Sequence, residues 1–112
     1  MPRAVEIRSY QLKPGRCADF AHLMETQAVP MLRRWHVDVI ACGRSAHDVD
    51  AYVLIRAYAD LAERAASQDA FYGSDEWLTG PREAILAAIE TYTSVVLLLD
   101  EDTIDGLRRA ID

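Results

Sequence analysis

The stretch Glu6-Ile7-Arg8-Ser9-Tyr10-Gln11-Leu12-Lys13-Pro14-Gly15 restricts the fold more than any other segment. Strand side chains alternate between faces, so Val5 and Ile7 share one side while Glu6, Arg8 and Tyr10 share the other. The strand stops at Pro14-Gly15 and hands over at once to a helix. A strand feeding directly into a helix calls for layers, with helices packed on a sheet. A carboxylate, a guanidinium and a phenol on one strand face are unusual so early in a small domain. They mark either a ligand site or a buried structural network.

The helix begins at Gly15 or Arg16, with Asp19 placed to favour the N-terminal end of its dipole. Phe20, Met24, Ala28, Met31 and Trp35 recur at steps of three and four and make one apolar face. Pro30 falls inside this run. It lacks an N–H and crowds the preceding turn, so the helix should kink or divide near Val29. Residues 37–44 read as a second strand, Ser45 to Asp50 as a hairpin connection, and residues 51–59 as a third strand. In that strand Val53, Ile55 and Ala57 share one face, and Tyr52, Leu54, Arg56 and Tyr58 the other. Asp60 and Glu63 form a capping box for the next helix, which should end near Tyr72-Gly73. Ser74 can cap a further turn over Asp75 to Leu78. Gly80-Pro81 starts another helix, lined on one side by Ile85, Ile89 and Tyr92. Thr93 to Leu99 is a last strand whose final five residues are all apolar. The tail from Glu101 can form a short helix, with Ile104, Leu107 and Ile111 as its apolar side.

The order is strand, helix, strand, strand, helix, strand, with the second helical region broken. This predicts an α+β, ferredoxin-like βαββαβ fold over residues 1–100, followed by an acidic C-terminal extension over 101–112. Short right-handed connections place the first and third strands in the centre of the sheet. Helices then cover one face. The expectation is that the uncovered face carries Tyr52, Leu54, Tyr58 and part of the last strand, too apolar a surface for water. A strand apolar on both faces is covered on both. A second copy is the simplest cover, giving a homodimer in which two chains form a dimeric α/β barrel.

At 112 residues this is one small domain, and its net charge is −6. That charge argues against nucleic acid, which needs clustered Lys and Arg, and against an anionic membrane surface. Arg33-Arg34 is the one adjacent basic pair inside the fold. Met1-Pro2-Arg3 leads straight into the first strand with no signal-like segment, so a cytoplasmic protein is expected. Lys13 is the only Lys, and Ala and Arg are abundant, which points weakly to a GC-rich bacterial genome. Cys17 and Cys42 lack CxxC spacing and should be free thiols.

These residues together resemble the NIPSNAP family of the dimeric α/β-barrel superfamily. The resemblance rests on Glu6, Arg8, Tyr10, Leu12, Pro14 and Gly15, on Glu63-Arg64, and on Phe71-Tyr72-Gly73-Ser74-Asp75-Glu76-Trp77 followed by Gly80-Pro81. It covers residues 4–99. It implies a dimer of ferredoxin-like units and no settled reaction, cofactor or catalytic set. One departure stands out. The family usually places Gly between the first helix and second strand, where this chain reads Trp35-His36-Val37-Asp38.

The candidate ligand-binding residues are Glu6, Arg8, Tyr10, His36, Arg56 and Tyr58. Glu6 and Arg8 stand roughly 7 Å apart along one strand face, and Arg56 belongs to the expected neighbouring strand. The commoner outcome of such a cluster is a structural ion-pair network, since a buried unpaired charge is costly. The alternative is an anion pocket, with Arg8 or Arg56 on a carboxylate or enolate oxygen and Tyr10 or Tyr58 donating a hydrogen bond. His36, at an element junction beside Trp35 and near Asp38, could serve as a base or favour an anion. His22 and His47 read as surface residues. No His or Cys spacing suits a metal, no cofactor motif is present, and a haem would have only the three histidines to draw on. Cys17 at a helix start is more commonly a core thiol than a reactive one. Tyr72, Trp77 and Leu78 either clamp the broken helix to the core or wall a pocket. The functions that follow are a dimer binding a small organic acid or apolar ligand between sheet and helices, a non-catalytic scaffold dimer, or, by fold analogy, a cofactor-independent isomerase, cyclase or monooxygenase.

Overall fold

Alternation in the first segment produces strand β1 (Arg3–Leu12), which turns at Gly15 in the left-handed region, φ 79°. The structure, a computed structural model, describes residues 2–111, with side chains through Arg109. The tail's Ile111 side chain lies outside that range. The helical run that follows has three parts: α1 (Cys17–Leu23), a π-helical turn (Met24–Ala28) and α2 (Val29–Arg34). The division comes where Pro30 demands it. Its missing N–H falls in the first turn of α2, and the wider π turn ahead of it absorbs the irregularity.

α2 ends in a Schellman motif. The Val37 N–H donates to the Leu32 carbonyl at 3.0 Å and the His36 N–H to the Arg33 carbonyl at 3.0 Å. His36 occupies the left-handed position that this motif requires, with φ 61°, a site where Gly is the usual residue. Its side chain is exposed. The departure seen in the sequence is thus confined to one side chain: the chain keeps the turn and tolerates the Cβ strain.

Strand β2 (Asp38–Arg44) pairs with β3 (Ala51–Tyr58) through a bulge between Val39 and Ala41. Helix α3 (Leu61–Tyr72) starts at Asp60, whose carboxylate accepts the Glu63 N–H at 2.8 Å. Ser74 caps α4 (Asp75–Thr79) by accepting the Trp77 N–H at 3.2 Å. Gly80 follows where a Cβ would strike the Glu76 carbonyl. Helix α5 (Arg82–Ala88) is short, and strand β4 (Ile89–Leu99) begins directly after it. Ile89 and Tyr92, read from sequence as helical, belong to this strand. β-Branched and aromatic residues at Ile89, Thr91, Tyr92 and Thr93 favour the extended form. Helix α6 (Glu101–Ile111) closes the chain.

The sheet is antiparallel, in the order β2-β3-β1-β4, with β1 and β3 central. It is ferredoxin-like. Glu6 lies opposite Arg56, and Tyr10 opposite Tyr52. That register puts Glu6, Arg8, Tyr10, Tyr52, Leu54, Arg56 and Tyr58 on one side.

The helices cover that side, which corrects the expected orientation. Tyr52, Leu54 and Tyr58 are buried beneath Phe20, Met24, Leu32 and Phe71. The opposite face carries Val5, Ile7, Val53, Ile55 and Ala57. Both faces of β3 are apolar, so alternation groups its residues without saying which group meets the helices. α6 covers one end of the opposite face. Ile104 is fully buried against Val5, Ile40, Ile55 and Ala57. Asp38 anchors the helix by accepting from Arg108 at 3.0 Å and Arg3 at 3.1 Å. Burial pushes the Asp38 pKa up, but these two guanidiniums outweigh it and hold the carboxyl below its ordinary value.

The strained turn makes a direct prediction. A left-handed conformation costs a non-glycine residue roughly 1–2 kcal/mol, and the greater unfolded-state freedom of Gly returns roughly 0.5–1 kcal/mol of that. His36→Gly should therefore stabilise the protein by about 0.5–1 kcal/mol in denaturant unfolding. A loss of stability would refute the strain assignment.

Candidate functional site

The site is built on one carboxylate. Glu6 has no solvent exposure, and N–H groups from four residues converge on it. Arg56 donates to Oε1 through Nε at 2.9 Å and also through Nη2. Gln68 donates to the same oxygen at 3.1 Å. Arg64 donates to Oε2 through Nη2 at 2.6 Å and Nε at 3.2 Å. Arg8 adds a longer contact to Oε2 at 3.3 Å. Burial by itself would raise the Glu6 pKa. The charges of Arg56 and Arg8, with the hydrogen bonds from Arg64 and Gln68, reverse this and bring it down to about 2.

Three elements supply these groups. β1 presents Glu6 and Arg8, β3 presents Arg56, and α3 presents Arg64, Gln68 and Tyr72 at intervals of four. That spacing aligns the three along one face of the helix. The Tyr72 hydroxyl accepts from Arg56 Nη1 at 2.7 Å and from Arg8 Nη1 at 3.4 Å. Gln68 also donates to the Tyr58 hydroxyl at 3.3 Å. The Arg8 guanidinium lies 4.9 Å from the Tyr92 ring centre and donates to Ser94 Oγ at 3.0 Å.

Arg8 and Tyr72 form the polar end of a cleft of about 590 Å³ between the sheet and the helices. Met24, Ala28, Leu32, Ile85 and Ile89 provide apolar wall, and Phe71, Tyr72 and Trp77 an aromatic one. The three aromatic rings brace each other edge to face or tilted, with centroids 5.0–5.5 Å apart. Arg82 and Asp69 stand among the lining residues. Such a volume lies within the ordinary range for small-molecule sites.

The structure brings together most, but not all, of the candidate residues. Glu6, Arg8 and Arg56 form one network, and Tyr58 joins its edge through Gln68. Tyr10 lines the cleft with Arg8, its ring 5.0 Å from Phe20. Burial, and then the neighbouring Tyr72 phenol, push its pKa up to about 12 against the pull of Arg8 and Arg56. His36 is not in this group. It is exposed in the turn after α2 and is not part of the cleft wall. Trp35 does not enter the core either: it keeps 36% exposure and donates to Glu76 Oε1 at 2.8 Å. Sequence reasoning missed Arg64 and Gln68. Their signal was the weak apolar stripe of α3, in which Phe71 is the one buried residue. A helix with so few large apolar side chains must turn some polar ones inward.

Cys17 and Cys42 are free thiols. Among the described residues no group of three or more His, Cys, Asp or Glu side chains could hold a metal ion, and no helix is long and apolar enough to cross a membrane.

The Glu6 network predicts an acid-sensitive stability. The folded pKa of Glu6 lies below its ordinary 4.5. Its contribution is therefore complete above pH 4.5 and is lost as pH falls toward 2. The shift corresponds to on the order of 3 kcal/mol. Glu6→Gln should destabilise the protein at pH 7 by about 3 kcal/mol or more, since it leaves arginines unpaired. The variant should also lack this acid limb. Urea unfolding of both proteins between pH 7 and 3 measures the effect, and parallel pH profiles would show that Glu6 is not the responsible group.

The NIPSNAP family model matches residues 5–101. A NIPSNAP family protein from Agrobacterium tumefaciens superposes with a TM-score of 0.80 at 17% identity, over 88% of this chain and 87% of that one. An uncharacterized NIPSNAP-like domain protein from Burkholderia xenovorans gives 0.80 at 23% identity, over 88% and 86%. A Nitrosomonas europaea protein, provisionally named an antibiotic biosynthesis monooxygenase, gives 0.63 at 20% identity, over 84% and 95%; at that distance the likeness concerns the fold alone. No curated protein matches the chain.

Proposed function

The chain belongs to the NIPSNAP family, and on that footing we propose that it acts as a small homodimer whose subunits each hold a small organic ligand between sheet and helices. The observation that carries this reading is the cleft of about 590 Å³, apolar along its walls and polar at the Arg8–Tyr72 end. A scaffold dimer would need only a filled interior. Here the interior keeps a cleft walled by Leu32 of α2, Trp77 of α4 and Ile85 of α5. Two free thiols suit a reducing cytoplasm, and the solved relatives described above are bacterial.

Occupancy of the cleft can be tested with the neutral fluorophore N-phenyl-1-naphthylamine. One equivalent should bind per chain with enhanced emission. Ala28→Phe, which places a ring in the cleft wall, should weaken binding at least tenfold. Absence of binding by the wild-type protein would overturn the ligand reading.

Dimerisation rests on β4. This edge strand exposes Val95 and Leu97 on the face away from the helices, and Tyr92 and Leu98 on the other. Unpaired edges with apolar side chains on both faces invite a partner strand or sheet. A second copy, related by a two-fold axis, covers them. Sedimentation should show a dimer at micromolar concentration. Leu97→Asp should yield a folded monomer, because it places a charge in an apolar contact at a cost of several kcal/mol. A wild-type monomer under the same conditions would defeat this part of the reading.

A further inference from the structure

Glu6 receives six N–H contacts, from Arg56, Arg64, Gln68 and Arg8. A carboxylate offers about four lone-pair sites. The contacts are unequal. Arg56 and Arg64 each approach with two N–H groups, whereas Arg8 has a single bond of 3.3 Å, the longest of the set. Its bond to Tyr72 is longer still, at 3.4 Å. Glu6 therefore satisfies Arg56 and Arg64, and Arg8 is the surplus cation of this network. Its side chain keeps 12% exposure and opens on the cleft.

The charge around the cleft points the same way. The lining and the network behind it hold Arg8, Arg56, Arg64 and Arg82 against two carboxylates, Glu6 and Asp69. This local excess of positive charge stands in a chain whose net charge is −6. Beside Arg8, the Tyr72 oxygen already accepts from two guanidiniums. No described residue accepts its proton, so the hydroxyl is a donor held next to the surplus cation.

Resting on the reading of the cleft as a ligand site, we propose that its ligand is an amphipathic monocarboxylate. One carboxylate oxygen takes the Arg8 guanidinium and the other takes the Tyr72 hydroxyl. The apolar body lies along Leu32, Ile85 and Ile89 beneath Trp77. Two donors at one end match the two oxygens of a carboxylate, whereas a phosphate ester has three terminal oxygens to satisfy. Glu6 does not contact the ligand. It holds Arg56 and Arg64 back from the cleft and so leaves Arg8 and Tyr72 as the donors that this network presents there.

The test is displacement of N-phenyl-1-naphthylamine from the wild-type protein by decanoate, 1-decanol and octyl phosphate at pH 7.5. Decanoate should compete at least tenfold more strongly than decanol, and its advantage should shrink with added salt. Arg8→Gln should remove the advantage of decanoate over decanol, and Tyr72→Phe should produce a smaller loss of the same kind. The wild-type comparison needs no variant to fold. If the fluorophore binds and decanol competes as well as decanoate, the anion assignment is wrong while the cleft stands as a site. Stronger competition by octyl phosphate would overturn the choice of carboxylate. If the fluorophore itself does not bind, the underlying ligand reading has failed instead.

Discussion

A carboxylate removed from water stays ionised only when the surrounding groups replace its hydration, and Glu6 meets that demand with three guanidiniums and an amide. The arrangement ties together parts of the chain that little else connects. β1 and β3 are already paired by backbone hydrogen bonds, but α3 contributes one buried apolar side chain, Phe71. Its remaining hold on the sheet is largely polar, through Arg64 and Gln68 to Glu6 and through the Tyr72 hydroxyl to Arg56. The seating of α3 therefore depends on the charge state of one residue on β1. So does the place of Tyr72, at the end of the same helix face. A buried ion pair is weak evidence for stability as such, because desolvation offsets much of the attraction. Its value here lies in position: it sets α3 against the sheet in one register and keeps Arg8 at the cleft.

The elements that were legible in the sequence are those fixed by local chemistry. Asp60 and Ser74 cap their helices because each is followed by backbone N–H groups with no other partner. The break near Val29 follows from the ring of Pro30. The cluster of Glu6, Arg8 and Arg56 followed from strand alternation and the expected pairing of β1 with β3. What could not be read depends on long-range choices. Val53, Ile55 and Ala57 are as apolar as Tyr52, Leu54 and Tyr58, so nothing within β3 says which group lies under helices. The deciding factor is that the charged pair needs α3 to complete it, and Arg64 and Gln68 look like solvent-facing residues until the sheet is beneath them. His36 misled for a different reason. A histidine at a junction suggests chemistry, but here the backbone position matters, and its imidazole points to solvent.

The ligand reading and the dimer reading draw on opposite faces of the same sheet, and β1 joins them. Arg8 projects toward the cleft, and Ile7, its neighbour in sequence, projects toward the face that α6 leaves open. α6 narrows that face. With Ile104 buried against Val5, Ile55 and Ala57, Ile7 and Val53 are left partly buried and Val95 and Leu97 exposed, so the uncovered apolar area lies toward β4. A partner sheet cannot lie flat over all four strands while α6 stays docked, so the proposed contact would centre on β1 and β4. Those are also the strands that carry Arg8, Tyr92 and Ser94. Ser94 accepts from Arg8 and Tyr92 stacks on it, and both residues are exposed in the single chain. Both stand on the helix-covered side of β4, opposite Val95 and Leu97, so a partner on the uncovered face would leave them with the cleft. The proposed ligand site and the proposed dimer contact thus meet on one edge strand, with Tyr92 and Ser94 on one face of it and Val95 and Leu97 on the other.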